Sequence, residues 1–262
     1  MTDEIKLIID KIKLGMKNAY RNTLVFTGDQ TQKFGAEYLF TVNVAQAIGN
    51  LNDHDGEPYK IYIEAKTKIV ARDCLPVIKG TKAARGGFSI NKETIFRCNH
   101  AIPFIERNGK IDIAVYRESD DCDFFDYVPF CVIELKSFNP TRNLVVRDLK
   151  RNSELLRASG PTGKSSIQVG VFSAAHQIRN FKNDEEIISE TREIISNYKN
   201  WCSEIGNTSD LDIVTKGFLL SREMEGDITY EIDGSYIDTS TRHCFIGIIV
   251  ILTLKKKNIQ PK

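Results

Sequence analysis

Between residues 3 and 19, Ile5, Ile8, Ile9, Ile12 and Met16 recur at three- and four-residue intervals with lysines between them. One stripe of a helix would be apolar and the rest wet, so the spacing predicts an amphipathic α-helix. Asn22 to Asp29 is rich in turn formers and predicts a break. A second helix is predicted from about Thr31 to Ile48, with Phe34, Tyr38, Val42, Ala45 and Ile48 on one side. The Asn, Asp, Gly and Pro residues of 50–58 predict a loop. Tyr59 to Thr67 changes to period two, the pattern of a strand with one solvated face. Residues 68–99 follow neither period and read as an insertion, with Lys79, Lys82, Arg85 and the pair Gly86-Gly87 inside it.

Two further strands are predicted at Lys110–Arg117 and Val128–Ser137, antiparallel neighbours joined through an acidic loop around residues 119–126. The second is almost continuously apolar, as a central strand is. A basic helix over 144–158, a turn at Gly160–Gly163 and a strand at Ile167–Ser173 follow. A polar helix over about 184–201 comes next, and then strands over roughly 212–254, interrupted at Glu225-Gly226-Asp227 and Asp233-Gly234. The order predicts one α/β (α+β) domain over 1–262, with a mixed central sheet flanked by helices and a β-rich C-terminal extension over about 176–262.

Composition changes this picture little. About 41% of residues are hydrophobic and 27% charged, which suits an ordinary folded domain. Lys plus Arg number 36 against 35 Asp plus Glu, so any grip on nucleic acid must come from a local basic surface rather than from overall charge. The six cysteines, at 74, 98, 122, 131, 202 and 244, form no CxxC pair and no zinc-finger spacing with histidine. Residues 1–13 alternate charged with apolar residues and do not read as a signal peptide. The longest apolar run, Phe245 to Leu254, is too short to cross a bilayer and reads as a buried strand. Reduced thiols, a cytoplasmic location and no membrane association are expected.

Chemistry concentrates in the two central strands. Glu134 and Lys136 are two residues apart, so on an extended chain they leave one face while Leu135 leaves the other. Asp112 stands on the neighbouring predicted strand. A charged pair on an apolar central strand is unfavourable unless it has partners there. Two acids and an ammonium at one place suit phosphodiester hydrolysis. A hard cation held by carboxylates activates water, and the ammonium stabilises the charged transition state.

Ile111-Asp112 followed by Ile133-Glu134-Leu135-Lys136 resembles the PD-(D/E)xK nuclease superfamily, the restriction-endonuclease-like fold. The likeness covers about residues 31–175, with Ile111 where the family's proline is usually written. It implies that Asp112, Glu134 and the carbonyl of Leu135 hold Mg²⁺, or Mn²⁺ in its place, and that Lys136 manages the attacking water. Glu37, within Gly-Ala-Glu-Tyr-Leu-Phe, matches the glutamate that many members carry on the first helix. Arg147, Lys150 and Arg151 stand where family members contact DNA. The resemblance further implies DNA cleavage, RNA being the other substrate, in bacterial restriction or anti-phage defence, by a homodimer or a subunit of a defence complex. A catalytically silent subunit that binds nucleic acid or protein is the alternative.

Competing motifs read as structural. Glu4-Ile5-Lys6 lies on a surface helix, and Glu64-Ala65-Lys66 has only loop aspartates upstream. Ala158 to Ser165 fits a relaxed phosphate-binding loop, but a helix precedes it and a strand follows, the reverse of what such a loop needs. Lys82 and Arg85 could wrap a phosphate backbone or form a solvated loop. The four histidines show no metal-ligand spacing, and His176 alone falls near a strand end that could approach substrate.

Overall fold

A computed structural model describes residues 1–27, 36–56, 58–76, 78–81, 93–96, 102–118, 127–161, 163–181, 183–221 and 226–255. In chain order the helices are α1 (Asp3–Thr27), α2 (Ala36–Gly49), α3 (Asn52–Asp55), α4 (Thr67–Asp73), α5 (Arg142–Arg157) and α6 (Asp184–Cys202). The first five strands are β1 (Tyr59–Lys66), β2 (Ile78–Thr81), β3 (Glu93–Phe96), β4 (Lys110–Glu118) and β5 (Tyr127–Lys136). They are followed by β6 (Ser159–Gly160), β7 (Gly163–Lys164), β8 (Val169–Arg179), β9 (Leu211–Leu219), β10 (Asp227–Glu231), β11 (Gly234–Asp238) and β12 (His243–Leu254).

Six strands form one mixed sheet in the order β1-β4-β5-β8-β12-β9. β5 and β8 run parallel, linked by α5, and the other neighbours are antiparallel. Helices cover both faces. On one, Ile8, Ile12 and Met16 of α1 and Phe40 and Ile48 of α2 pack on Ile113, Ile133, Leu135 and Val171. On the other, Val145 and Leu149 of α5 and Tyr198 of α6 meet Val132, Phe172 and Ile248. Each strand of the middle is therefore apolar on both sides, which is why β5 and β12 read as unbroken hydrophobic runs.

Three sequence expectations change. The predicted break from Asn22 falls inside α1, because Ala19, Tyr20 and Thr23 extend the buried stripe. There Asn22 donates from Nδ2 to Asn43 Oδ1 of α2 at 2.8 Å. Packing on α2 overrides the local turn preference. Residues 50–58 contain the short helix α3, closed by Gly56 at φ 72°. Of the supposed insertion, 67–73 is helical and 78–81 pairs with 93–96; Lys82 and Arg85 lie outside the described residues. From the C-terminal third, β12 and β9 join the main sheet.

α1 passes close to the α2 backbone at Gly15, where an added Cβ would lie 2.5 Å from Val44 Cα and 2.8 Å from Asn43 O. Backbone cannot yield as a side-chain tip does. Gly15→Ala is expected to destabilise the fold by about 1–3 kcal/mol, measured as a lower urea midpoint.

Candidate active site

The β4–β5 register ends at Ile113↔Ile133, so Asp112 and Glu134 are the residues just beyond the last paired position. Two carboxylates brought this near repel, so the pair needs cations. Leu135 turns into the core on the α1–α2 side. Glu134 and Lys136 therefore leave by the α5 side, as the two-residue spacing requires. The Leu135 N–H donates to Asp112 Oδ2 at 2.7 Å, tying the acid to the end of β5.

Lys136 is the hub. Its Nζ donates to Glu37 Oε1 at 2.8 Å and to the Leu135 carbonyl at 2.8 Å. It also lies 3.6 Å from Asp112 Oδ2 and 3.7 Å from Asp148 Oδ2. Glu37, in the first turn of α2, is 46% exposed and forms the watery side of the cluster. Glu134 is 1% exposed and pairs with Arg151, itself 1% exposed. Asp148 is wholly buried, contacted by Arg107 and 3.6 Å from Arg151. The structure thus brings Glu37, Asp112, Glu134 and Lys136 together.

Arg151 was expected on a DNA-facing surface, and its burial against Glu134 places it inside the cluster instead. Arg147 is exposed, and Lys150 is partly exposed and paired with Glu106. Sequence reasoning missed Asp148 and Arg107. A signal for Asp148 existed: Val145, Asp148, Leu149, Asn152, Leu155 and Leu156 form one helical stripe. An acid on an otherwise apolar stripe points inward. Arg107 lies in an irregular segment ahead of β4 and carries no such periodicity.

Four carboxylates face three cations here, one formal negative charge in excess, with Asp112, Glu134 and Asp148 largely out of water and Glu37 half exposed. Burial pushes the Glu134 carboxyl up to about 7, against the pull of Arg151. Burial also raises Asp112, although Lys136 and the Leu135 N–H oppose it. Neither oxygen of Asp148 has a hydrogen-bond partner among the described residues, so charge alone holds it. Such a cluster favours further positive charge.

Among the described residues, no group of three His, Cys, Asp or Glu side chains is gathered to cage a metal. Mg²⁺ does not require a cage; it commonly keeps several waters and takes one or two carboxylates. The hard oxygens of Asp112 and Glu134 and the Leu135 carbonyl fit a hydrated divalent ion by donor chemistry.

The competing motifs are elsewhere. Glu64 pairs with Lys110 on the exposed edge at 2.5 Å, at φ 57°, and Glu4 pairs with Arg117 at 2.8 Å. Within 158–165, Ser159–Gly160 and Gly163–Lys164 pair as the small strands β6 and β7 between α5 and β8. Cys74, Cys131, Cys202 and Cys244 are free and buried.

His176 is buried, with Nε2 2.9 Å from Tyr198 Oη, and does not join the cluster. Burial pulls its imidazole down to about 4 from the ordinary 6.5. The folded chain therefore resists a proton that the unfolded chain accepts. The stability this represents is complete above pH 6.5 and is lost as pH falls toward 4, at most about 3 kcal/mol. His176→Gln is expected to flatten the fall in urea midpoint across that window.

No family model matches this chain, and neither a curated protein nor a solved structure matches it significantly. The class established by the fold is a mixed α/β domain with a six-stranded sheet between helices. Among the described residues, no helix is long and apolar enough to cross a membrane.

Proposed function

We propose that this protein is a metal-dependent nuclease of the PD-(D/E)xK type. The observation that carries the reading is the placement of Lys136 Nζ between Glu37, Asp112 and Asp148, on the face shared with Glu134. The antiparallel β1-β4-β5 ribbon, followed through α5 by parallel β8, supports the restriction-endonuclease-like core that the motif implies.

Asp112, Glu134 and the Leu135 carbonyl would hold Mg²⁺, with Mn²⁺ as a substitute. When bound, the ion supplies Lewis acidity toward the phosphoryl group and a water of lowered pKa. Lys136 donates hydrogen bonds at the reacting centre and offsets the charge that builds on the phosphoryl oxygens. Glu37 holds that ammonium from the solvent side. Arg151 holds Glu134 in place and pulls its carboxyl down against burial, and Arg107 holds Asp148. Exposed Arg147 is the α5 residue left to touch a phosphate backbone, with Lys82 and Arg85 as further contacts. DNA is the favoured substrate and RNA the second. By the resemblance, the setting is restriction or anti-phage defence in bacteria, as a homodimer or a subunit of a defence complex.

One observation favours a second reading, a silent subunit that binds nucleic acid or protein. The buried acids Glu134 and Asp148 each already have an arginine partner. The test is incubation of the purified chain with supercoiled plasmid, single-stranded DNA and RNA in Mg²⁺, Mn²⁺ or EDTA. Cleavage of any polymer that EDTA abolishes supports the nuclease. Retention on nucleic acid with no cleavage in either metal overturns it in favour of the silent subunit.

A further inference from the structure

β9 is one edge of the main sheet, and its nine residues pair with β12 without a break from Leu211↔Leu254 to Leu219↔Ile246. Among the described residues, no backbone hydrogen bond of 212–219 goes to any strand or loop other than β12. The outward N–H and C=O groups of a regular edge are a template for another strand, and proteins commonly blunt such edges. The opposite edge is blunted: β1 leaves extended backbone at Glu64 (φ 57°), and its ladder with β4 lapses there, between Ile63 and Ala65. β9 contains no proline, no residue at positive φ and no gap in its ladder.

Asp212, Val214 and Lys216 lie opposite Thr253, Ile251 and Ile249 of β12, so they share the α1–α2 side of the sheet. All three are exposed, Val214 by 40%. α6 lies on the other side, where its Thr191 and Ile195 meet Gly217. Asp212 and Lys216 are opposite in sign, and neither has a salt-bridge partner among the described residues. Four residues apart on one strand, they stand about 13 Å from each other, too far to pair within one chain.

A second copy of the strand supplies both missing partners. When β9 meets β9 antiparallel about a two-fold through Val214, Asp212 of each copy stands directly opposite Lys216 of the other. Opposed residues share a face with about 4.5–5.5 Å between Cβ atoms, so one operation forms two ion pairs. Val214 meets Val214 at the axis, which covers an exposed branched side chain. The same charges reject the neighbouring registers. A centre at Asp212 sets aspartate against aspartate, and a centre at Lys216 sets lysine against lysine. A lone lysine on an edge deters pairing; with an aspartate placed symmetrically across Val214, it selects one register instead. An unrelated strand would need the reversed charge spacing that this chain already carries.

We propose that two copies of this chain associate through β9, antiparallel about Val214, and join their sheets into one. Such an interface is isologous and closes at two copies. The pairing itself is independent of the nuclease reading, but its bearing on function rests on that reading. The two-fold stands perpendicular to the sheet, so the α5 sides of both copies face the same way. The two clusters around Lys136 are thereby presented to one side of the assembly.

The experiment is sedimentation equilibrium of the full chain in EDTA over a range of concentrations. Wild type is expected to show a monomer–dimer equilibrium. Asp212→Lys and Lys216→Asp each set like charges together at two symmetry-related places, and each should weaken the dimer about tenfold or more. The double variant Asp212→Lys/Lys216→Asp restores opposite charges and should restore the dimer. An equimolar mixture of the two single variants should form the mixed dimer that neither forms alone. Val214→Lys puts two lysines at the axis and should abolish association. The three positions are exposed, so urea midpoints of the variants should stay near wild type. A wild type that stays monomeric up to about 100 µM, where even a weak specific pair is populated, overturns the proposal. So does a dimer that the single reversals leave unmoved, or one that the double variant fails to restore. A dimer that cleaves no polymer in Mg²⁺ or Mn²⁺ overturns the nuclease reading and leaves this interface standing, and cleavage by a strict monomer does the reverse.

Discussion

Lys136→Ala is expected to lower the rate of phosphodiester cleavage by about 10²–10³-fold at saturating Mg²⁺, the loss typical of one preorganised donor at a developing charge. The ammonium touches Glu37 and the Leu135 carbonyl and lies within 3.7 Å of two more acids. Among the described residues the cluster's other two cations are engaged elsewhere, Arg151 with Glu134 and Arg107 with Asp148. Removal also leaves Asp112 and Glu37 without their ammonium. A parallel urea titration is therefore needed, with the rate compared only where the variant is folded. Lys136→Arg keeps the charge but not the compact point donor, and should recover part of the rate. Single-turnover cleavage of a labelled oligonucleotide gives the numbers. A folded Lys136→Ala protein that cleaves at the wild-type rate would remove Lys136 from the chemistry, and with it the nuclease reading in its present form.

Arg151→Met carries the largest expected effect on stability. It leaves Glu134 buried without its guanidinium partner, a defect of about 3–5 kcal/mol. The companion Glu134→Leu/Arg151→Met replaces the pair by apolar groups of similar size and is expected to regain most of that loss. The pH dependence has a definite sign. Glu134 already sits near 7 in the folded chain through burial, above the ordinary 4.5. A carboxyl raised in this way contributes stability fully below pH 4.5 and loses it as pH rises through about 7. Without Arg151 the carboxyl rises further, so the single variant should be penalised less at pH 5 than at pH 9. Urea midpoints at the two pH values check this, and equal penalties would show that Glu134 is not the group left stranded.

Much of the central architecture was legible because each element has its own periodicity. The isoleucine stripe of α1 and the two-residue alternation around Glu134 are local signals, and the structure follows both. Asp112, Glu134 and Lys136 could be paired from sequence because strand neighbours in an antiparallel ribbon are also neighbours along the chain. Asp148 and Arg151 were harder, since a basic helix reads as a wet surface until one asks which of its charges fall on the buried stripe. Lys150 and Arg151 are adjacent, yet the first is partly exposed and the second buried. Only the helical phase separates them. Arg107 was not legible at all, because an irregular segment has no period from which to read direction. Nor could the hydrophobic pattern say that β12 lies between β8 and β9, since a fully apolar strand is equally at home beside many partners.

That last placement bears on how the chain is made. β8 ends at residue 179 and finds its outer neighbour only in residues 243–254. Throughout synthesis of the intervening stretch, its hydrogen-bonding edge stays open on the nascent polypeptide. Pairings across such separations form slowly, and uncovered edges recruit other chains. Newly made copies crowded on one messenger are therefore most exposed to mispairing with each other just before β12 emerges from the ribosome.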